Sequence, residues 1–192
     1  MRFMQNIVIS ISAIMNQLID EKKNLLVAID GRCAAGKTTI ALQLQNIYHC
    51  NVIHMDHFFL RNEQRTEARL NTPGENIDHE RFLEEVLIPL KSGKTFSYRP
   101  FDCKKQCMSE EMIVYPNVIN IIEGSYSCHS ALWEYYDLKL FLTVNQEEQF
   151  CRILRREGSE KAEIFKKRWI PLEEDYFSFY KIEKRCDFCF ET

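Results

Sequence analysis

Four short apolar runs punctuate the chain. "NLLVAID" (24–30), "VINIIEG" (118–124) and "LKLFLTV" (138–144) carry almost no polar alternation, which predicts strands buried on both faces of a sheet. "NVIHMD" (51–56) reads as a further strand that ends in an acid. Elsewhere the period becomes helical. In residues 3–20, Phe3, Ile7, Ile11, Ile14 and Leu18 recur at intervals of three and four, and "KTTIALQLQNIY" (37–48) keeps a similar spacing. Asp78 is placed to cap a helix over 78–93. Phe82, Val86 and Leu90 share one face of it, Pro89 should kink or shorten its end, and Gly93 closes it. "KTFSYRPF" (94–101) alternates, and "EMIVYPN" (111–117) is its predicted hairpin partner. Residues 146–158 form an arginine-rich helix, and 159–192 read as helical before a short final strand. Strands alternating with helices predict an α/β fold of three layers around a mostly parallel sheet. In such folds ligands gather at the carboxyl ends of the strands, where Asp30, Asp56 and Glu123 fall.

Composition narrows the picture. The 192 residues suit one domain with a buried core. A net charge of −3 gives no electrostatic case for a nucleic-acid partner, and no apolar run has membrane-spanning length. "IVISISAIM" (7–15) has the length of a signal-peptide core, but only Arg2 precedes it and no A-x-A follows. An N-terminal helix within 1–23, packed on the domain, is the expectation, and a cytoplasmic location with it. Eight cysteines would then stay reduced and pack as small hydrophobes. Cys103, Cys107, Cys186 and Cys189 have spacings from which a thiolate zinc site is conceivable, but "CDFCF" reads as a strand, on which residues three apart face opposite ways.

The chemistry is concentrated in "GRCAAGKTT". Gly31, Arg32, Cys33, Ala34, Ala35, Gly36, Lys37 and Thr38 fit G-x-x-x-x-G-K-[ST], with a strand before and a helix after. The glycines let backbone N–H groups turn inward around phosphate oxygens. Lys37 is placed for the β and γ phosphates, the Thr38 hydroxyl for Mg²⁺, and Thr39 continues the helix whose positive end faces the anion. The loop is therefore expected to hold a nucleoside triphosphate.

No N-K-x-D is present to read guanine, which argues against a GTPase. Transfer to a small hydroxyl needs a base, acids near the metal ion, and mobile positive charge. Asp56 is the candidate base and Glu123 the candidate Mg²⁺ ligand, the latter through water. Arg152, Arg155 and Arg156 are placed to act as a lid within 146–170. Arg61, Arg65 and Arg69, at intervals of four, would form one basic stripe on a helix, able to grip an anionic acceptor or simply to be solvated.

Taken together, "IDGRCAAGKTT", "HMDHFF" (54–59), "NIDH" (76–79), "RPFD" (99–102), "IIEG" (121–124) and the arginine-rich helix resemble the uridine kinase and phosphoribulokinase branch of the P-loop kinases over about residues 25–190. The resemblance implies a P-loop NTPase fold with a small antiparallel hairpin over the acceptor site, within an insertion spanning 57–117. It implies an ATP- and Mg²⁺-dependent phosphotransferase acting on a small-molecule hydroxyl, with Asp56 as base, Lys37, Arg152 and Arg156 on the phosphates, and Phe59, Arg65, Asp78, Phe101 and Gln106 around the acceptor. Uridine or a related nucleoside is the first expectation. Phe101, Cys103 and Gln106 stand where that family's hairpin has tyrosine, phenylalanine and histidine, so pantothenate or a sugar stays open. So do a regulatory ATPase without kinase activity and association of identical chains.

Overall fold

The computed structural model describes residues 2–192, with side chains from residue 4 onward. The Phe3 side chain lies outside the described residues. Helix α1 (Arg2–Ile19) precedes strand β1 (Leu25–Gly31), the phosphate-loop sequence, and helix α2 (Lys37–Tyr48). Ile7, Val8, Ile11 and Met15 bury one face of α1, and the Tyr48 hydroxyl donates to the Ser12 carbonyl at 3.1 Å, tying α1 to α2. Strand β2 (Asn51–His54) is shorter than expected. It curls into a 3-10 turn, Met55–Phe58, which carries Asp56 beyond the strand.

The insertion follows. Helix α3 (Glu67–Leu70) is one turn. Helix α4 (His79–Phe82), a π turn (Leu83–Leu87) and helix α5 (Ile88–Ser92) make one continuous rod. Strands β3 (Phe96–Tyr98) and β6 (Met112–Val114) pair antiparallel, and between them β4 (Phe101–Asp102) and β5 (Cys107–Met108) form a tight hairpin. The chain then returns to the sheet with β7 (Ile119–Glu123) and β8 (Leu138–Thr143). It closes with α6 (Gln146–Glu157), α7 (Ser159–Ile164), a second π turn (Phe165–Trp169), α8 (Ile170–Tyr180), α9 (Ile182–Arg185) and β9 (Phe188–Glu191).

The central sheet has the order β2-β7-β1-β8-β9, and every pair in it is parallel. All seven residues of β1 and all five of β7 are buried, as their unbroken apolar runs require. One core layer packs Leu26, Phe58, Phe82, Phe141 and Tyr176 on one face of the sheet. The other packs Val27, Ile29, Ile40 and Leu44 beneath α1. No described helix is long and apolar enough to cross a membrane.

Two prolines are absorbed by one device. Pro89 and Pro171 each follow a π turn, in which the N–H of the preceding isoleucine reaches back five residues, Ile88 to Leu83 and Ile170 to Phe165. A proline inside a helix lacks its own N–H and crowds the previous turn, and one wide turn relieves both. The rod over 79–92 therefore continues through Pro89 rather than ending there. Asp78 caps it by accepting from Arg81 N at 3.2 Å, and Gly93 ends it with φ 66°.

The predicted arginine stripe does not form. Thr66 caps a new turn by accepting from Arg69 N, and Gln64 accepts from Arg61 N, so the run breaks into a 3-10 turn and α3. The three arginines go separate ways. Arg61 lies 3.8 Å from Asp78, Arg65 donates to the Leu60 carbonyl, and Arg69 pairs with Glu80 at 2.6 Å.

Behind the insertion, Glu75, His79 and His129 converge. The His79 and His129 rings stack at 4.3 Å. Ala131 N donates to His129 Nδ1 at 3.3 Å, so the neutral ring carries its proton on Nε2, facing Glu75 Oε1 at 3.7 Å. At that distance Nε2 makes no hydrogen bond, and the proton it carries opposes ligation through it. Burial, then His79, lower the His129 pKa from 6.5 to about 4. The folded protein therefore keeps the ring neutral while the unfolded chain takes up a proton below about 6.5. Stability from this group is full above that pH and lost as pH falls toward 4, by about 3 kcal/mol in all. Urea denaturation at pH 7.5 and 4.5 should show His129→Gln losing about 2–3 kcal/mol less than the parent between the two. Parallel losses would mean that His129 is not held neutral.

Candidate functional site

A cleft of about 670 Å³ opens at the carboxyl ends of β1, β2 and β7. The phosphate loop forms one wall. Gly31 starts it with φ 130° where β1 passes β8 so closely that a Cβ would stand 2.0 Å from the Leu142 carbonyl oxygen, so no other residue fits. Gly36 (φ 84°) turns the backbone into α2. Cys33, Ala34, Gly36, Lys37, Thr38 and Thr39 line the cleft. Gly31, Arg32 and Ala35 support the loop from outside it. Arg32 points away, donating to Glu174 at 2.7 and 3.0 Å and to Thr143.

Lys37 is nearly buried, its ammonium donating to the Gly31 carbonyl at 2.6 Å, the Arg32 carbonyl at 2.9 Å and Ser125 Oγ at 3.3 Å. The Thr38 hydroxyl lies 3.0 and 3.1 Å from the two Glu123 oxygens. Glu123 Oε1 also meets His54 Nδ1 at 2.5 Å, and this hydrogen bond raises the His54 pKa. A hydroxyl and a buried carboxylate together at the mouth of a phosphate loop, with a buried ammonium beside them, make a donor set suited to Mg²⁺ and a triphosphate.

Asp56 faces the same cleft. Its side chain is open to the cleft, yet protein surrounds it. Burial and then Glu123 push its carboxyl above the usual carboxylate range, opposed by Lys37, His54 and Arg156. A raised carboxyl is better matched to accepting a proton near neutral pH.

Two of the three lid candidates reach the cleft. Arg152 donates to the Ala34 carbonyl at 3.2 Å and to Thr192 at 2.9 Å, and Arg156 lies over Phe165. Arg155 is 71% exposed and points outward. On the acceptor side, Phe59, Arg65 and Gln106 line the cleft. Gln106 sits at the corner of the β4–β5 hairpin with φ 54°, and its amide N–H donates back to the Cys103 carbonyl. Asp78 and Phe101 do not line it. Asp78 is buried, occupied by the helix cap and by Gln64 Nε2 at 2.8 Å, and Phe101 is buried beneath the hairpin. Arg81 positions this insertion, donating to the His57 and Arg99 carbonyls at 2.9 Å each.

Sequence reasoning missed part of the lining. Asn76, Ser125 and Tyr126 face the cleft, as do Phe165, Arg168 and Trp169 from the π turn leading into α8 and Glu173 from α8 itself. Tyr126 has φ 73°, because the backbone after β7 wraps around the buried Asp30 carboxylate. No short motif marks such residues.

Comparison with known proteins bears on the family and the fold. The family model described as Phosphoribulokinase / Uridine kinase family matches residues 26–166. Among solved structures, one described as a possible uridine kinase from Bacillus stearothermophilus is 20% identical, with a TM-score of 0.67 and coverage of 92% of this chain and 98% of that one. YFH7 from Saccharomyces cerevisiae is 12% identical, with a TM-score of 0.71 and coverage of 98% and 99%. D-glycerate 3-kinase from Cryptococcus neoformans is 14% identical, with a TM-score of 0.64 and coverage of 88% and 87%. At these identities the likeness is one of fold. No curated protein matches the chain by sequence.

Lys37 gives the direct test of the loop. At Mg·ATP one hundred times its dissociation constant, the parent should gain about 2.7 kcal/mol of stability. Losing one charged contact worth about 1.5–3 kcal/mol should cut the gain of Lys37→Ala at the same concentration to about 1.4 kcal/mol or less. An equal gain in both proteins would remove Lys37 from the nucleotide site.

Proposed function

We propose that this chain, which belongs to the phosphoribulokinase/uridine kinase family, transfers the γ phosphate of ATP to a hydroxyl of a small molecule, uridine or a related nucleoside being the first candidate. One observation carries the reading. A phosphate loop with a buried lysine and a paired threonine and glutamate faces a carboxyl-bearing Asp56 across a single cleft. A regulator needs the loop, but it has no use for a base beside an acceptor space.

Bound Mg·ATP would supply the electrophilic phosphorus and a metal ion that neutralises charge between the phosphates. Thr38 and Glu123 are the residues to hold that ion, and Lys37 with the loop amides to hold the phosphates. Asp56 takes the proton of the acceptor hydroxyl. Arg152 and Arg156 add positive charge from the α6 side and, with Phe165 and Trp169, limit water at the reacting centre. The contributions of these residues are positioning and charge stabilisation.

Gln106 supports the pyrimidine reading. Its amide N–H is engaged by the Cys103 carbonyl, which leaves the amide oxygen to accept an N–H such as the one uridine presents. Arg65 favours a second reading. It lines the acceptor side with no carboxylate within ion-pair distance among the described residues, an arrangement suited to an acceptor bearing an acid group, such as pantothenate. ADP release measured with uridine, other nucleosides, pantothenate and sugars separates the cases. At least one acceptor should raise turnover tenfold or more above the acceptor-free rate, a kinase's characteristic dependence, by about 1.4 kcal/mol at minimum. Slow ADP release indifferent to every acceptor would favour a regulatory ATPase.

A further inference from the structure

We propose that Glu173 is a positioning residue for phosphoryl transfer: from α8 it holds the phosphate loop at the Cys33 amide and orients the Ser125 hydroxyl that faces Lys37. The inference rests on the kinase reading above.

Glu173 is buried and lines the cleft. A buried carboxylate is tolerated only when its oxygens are paired. Here Oε2 accepts from Cys33 N at 3.0 Å and Oε1 from Ser125 Oγ at 2.8 Å. Ser125 has one proton and two acceptors in reach, Glu173 Oε1 at 2.8 Å and the Gly31 carbonyl at 3.1 Å. The closer, acidic acceptor takes it. The serine oxygen is then left to accept from Lys37 Nζ at 3.3 Å. The result is a directed chain, Lys37 to Ser125 to Glu173, with the phosphate loop attached at its far end through Cys33. Burial raises the Glu173 carboxyl above its ordinary range, and the Lys37 charge opposes the shift.

The neighbours of Glu173 register the same helix on the same strand end. Glu174 forms a two-pronged pair with Arg32, and the Tyr176 hydroxyl donates to Asp30 at 2.8 Å. Residues 173, 174 and 176 thus meet 33, 32 and 30 in order. Upstream, α8 continues from the π turn whose Phe165, Arg168 and Trp169 form the opposite wall of the cleft. Glu173 is the member of this set that both touches the loop and faces the cleft, so it sets the spacing between the phosphate cradle and that wall.

The test uses the full chain and Mg·ATP as ligand, with binding measured by titration calorimetry below the melting temperature of each variant. Glu173→Gln can keep both bonds, since its amide oxygen accepts from Cys33 and its N–H donates to Ser125, whose proton turns to Gly31. Glu173→Ala loses both. Parent and Glu173→Gln should bind Mg·ATP within about threefold of each other, and Glu173→Ala about ten- to a hundredfold more weakly, as expected for two broken contacts. Should Glu173→Ala fail to fold, Ser125→Ala carries the same expectation of about tenfold or greater loss, because it breaks the chain to Lys37 while leaving the α8 sequence and the Glu173–Cys33 hydrogen bond in place. Affinity within threefold of the parent in Glu173→Ala or, where that fails to fold, in Ser125→Ala would overturn the proposal. So would a Glu173→Gln loss as large as that of alanine. A parent that does not bind Mg·ATP would overturn the kinase reading and this proposal together, whereas a binding parent with indifferent variants overturns the Glu173 assignment alone.

Discussion

Asp30 sits at the carboxyl end of the central strand with no contact to solvent, and its two oxygens accept four hydrogen bonds. Gly31 N and Tyr126 N donate to one oxygen at 2.7 and 3.0 Å, and Cys128 N and the Tyr176 hydroxyl to the other at 2.8 Å each. Burial pushes its carboxyl up to about 6, while the Cys128 and Gly31 amides, Lys37 and the Tyr176 hydroxyl, each favouring the charged form, pull the other way. Isolated, such a charge would be ruinous in a core. Its four donors come from three separate pieces of chain: the start of the phosphate loop, the turn after β7, and α8. Ser125 and Glu173 each lie within three residues of a donor to Asp30, and their positions follow from that carboxylate being satisfied.

Four acids around the cleft differ in role because their surroundings differ. Asp30 has its acceptor capacity filled by the fold. Glu173 is filled by the phosphate loop and Ser125. Glu123 is held by Thr38 and His54, groups that a metal ion could rearrange. Asp56 has no hydrogen-bond partner among the described contacts and opens to the cleft, with Glu123 helping to raise its carboxyl. A carboxyl left unpaired by the protein and set opposite a phosphate loop is the one free to take a proton from something bound.

What could be read in the sequence was what local physics determines. Unbroken apolar runs announced β1, β7 and β8, because a strand covered on both faces needs no polar side. The phosphate loop is a contiguous motif, so Lys37 and Thr38 were legible from spacing alone. The basic stripe failed because Thr66 and Gln64 offer hydrogen bonds that compete with helix continuation, a contest that spacing does not weigh. Asp78 was assigned to the acceptor from family resemblance, but its oxygens are taken by a helix cap and by Gln64 from fourteen residues upstream. Glu173 lies 140 residues from the amide it meets, so nothing in its neighbourhood in the chain could reveal the contact.

Asp56 is the residue on which the kinase account turns, since it alone separates transfer to an acceptor from simple nucleotide holding. The decisive measurement is single-turnover phosphate transfer by Asp56→Asn to whichever acceptor the parent uses, with Mg·ATP affinity determined on the same protein. The account predicts affinity within a few-fold of the parent and transfer slower by about 10²–10⁴, the range for loss of a general base. Transfer at the parental rate in a folded Asp56→Asn protein would contradict it.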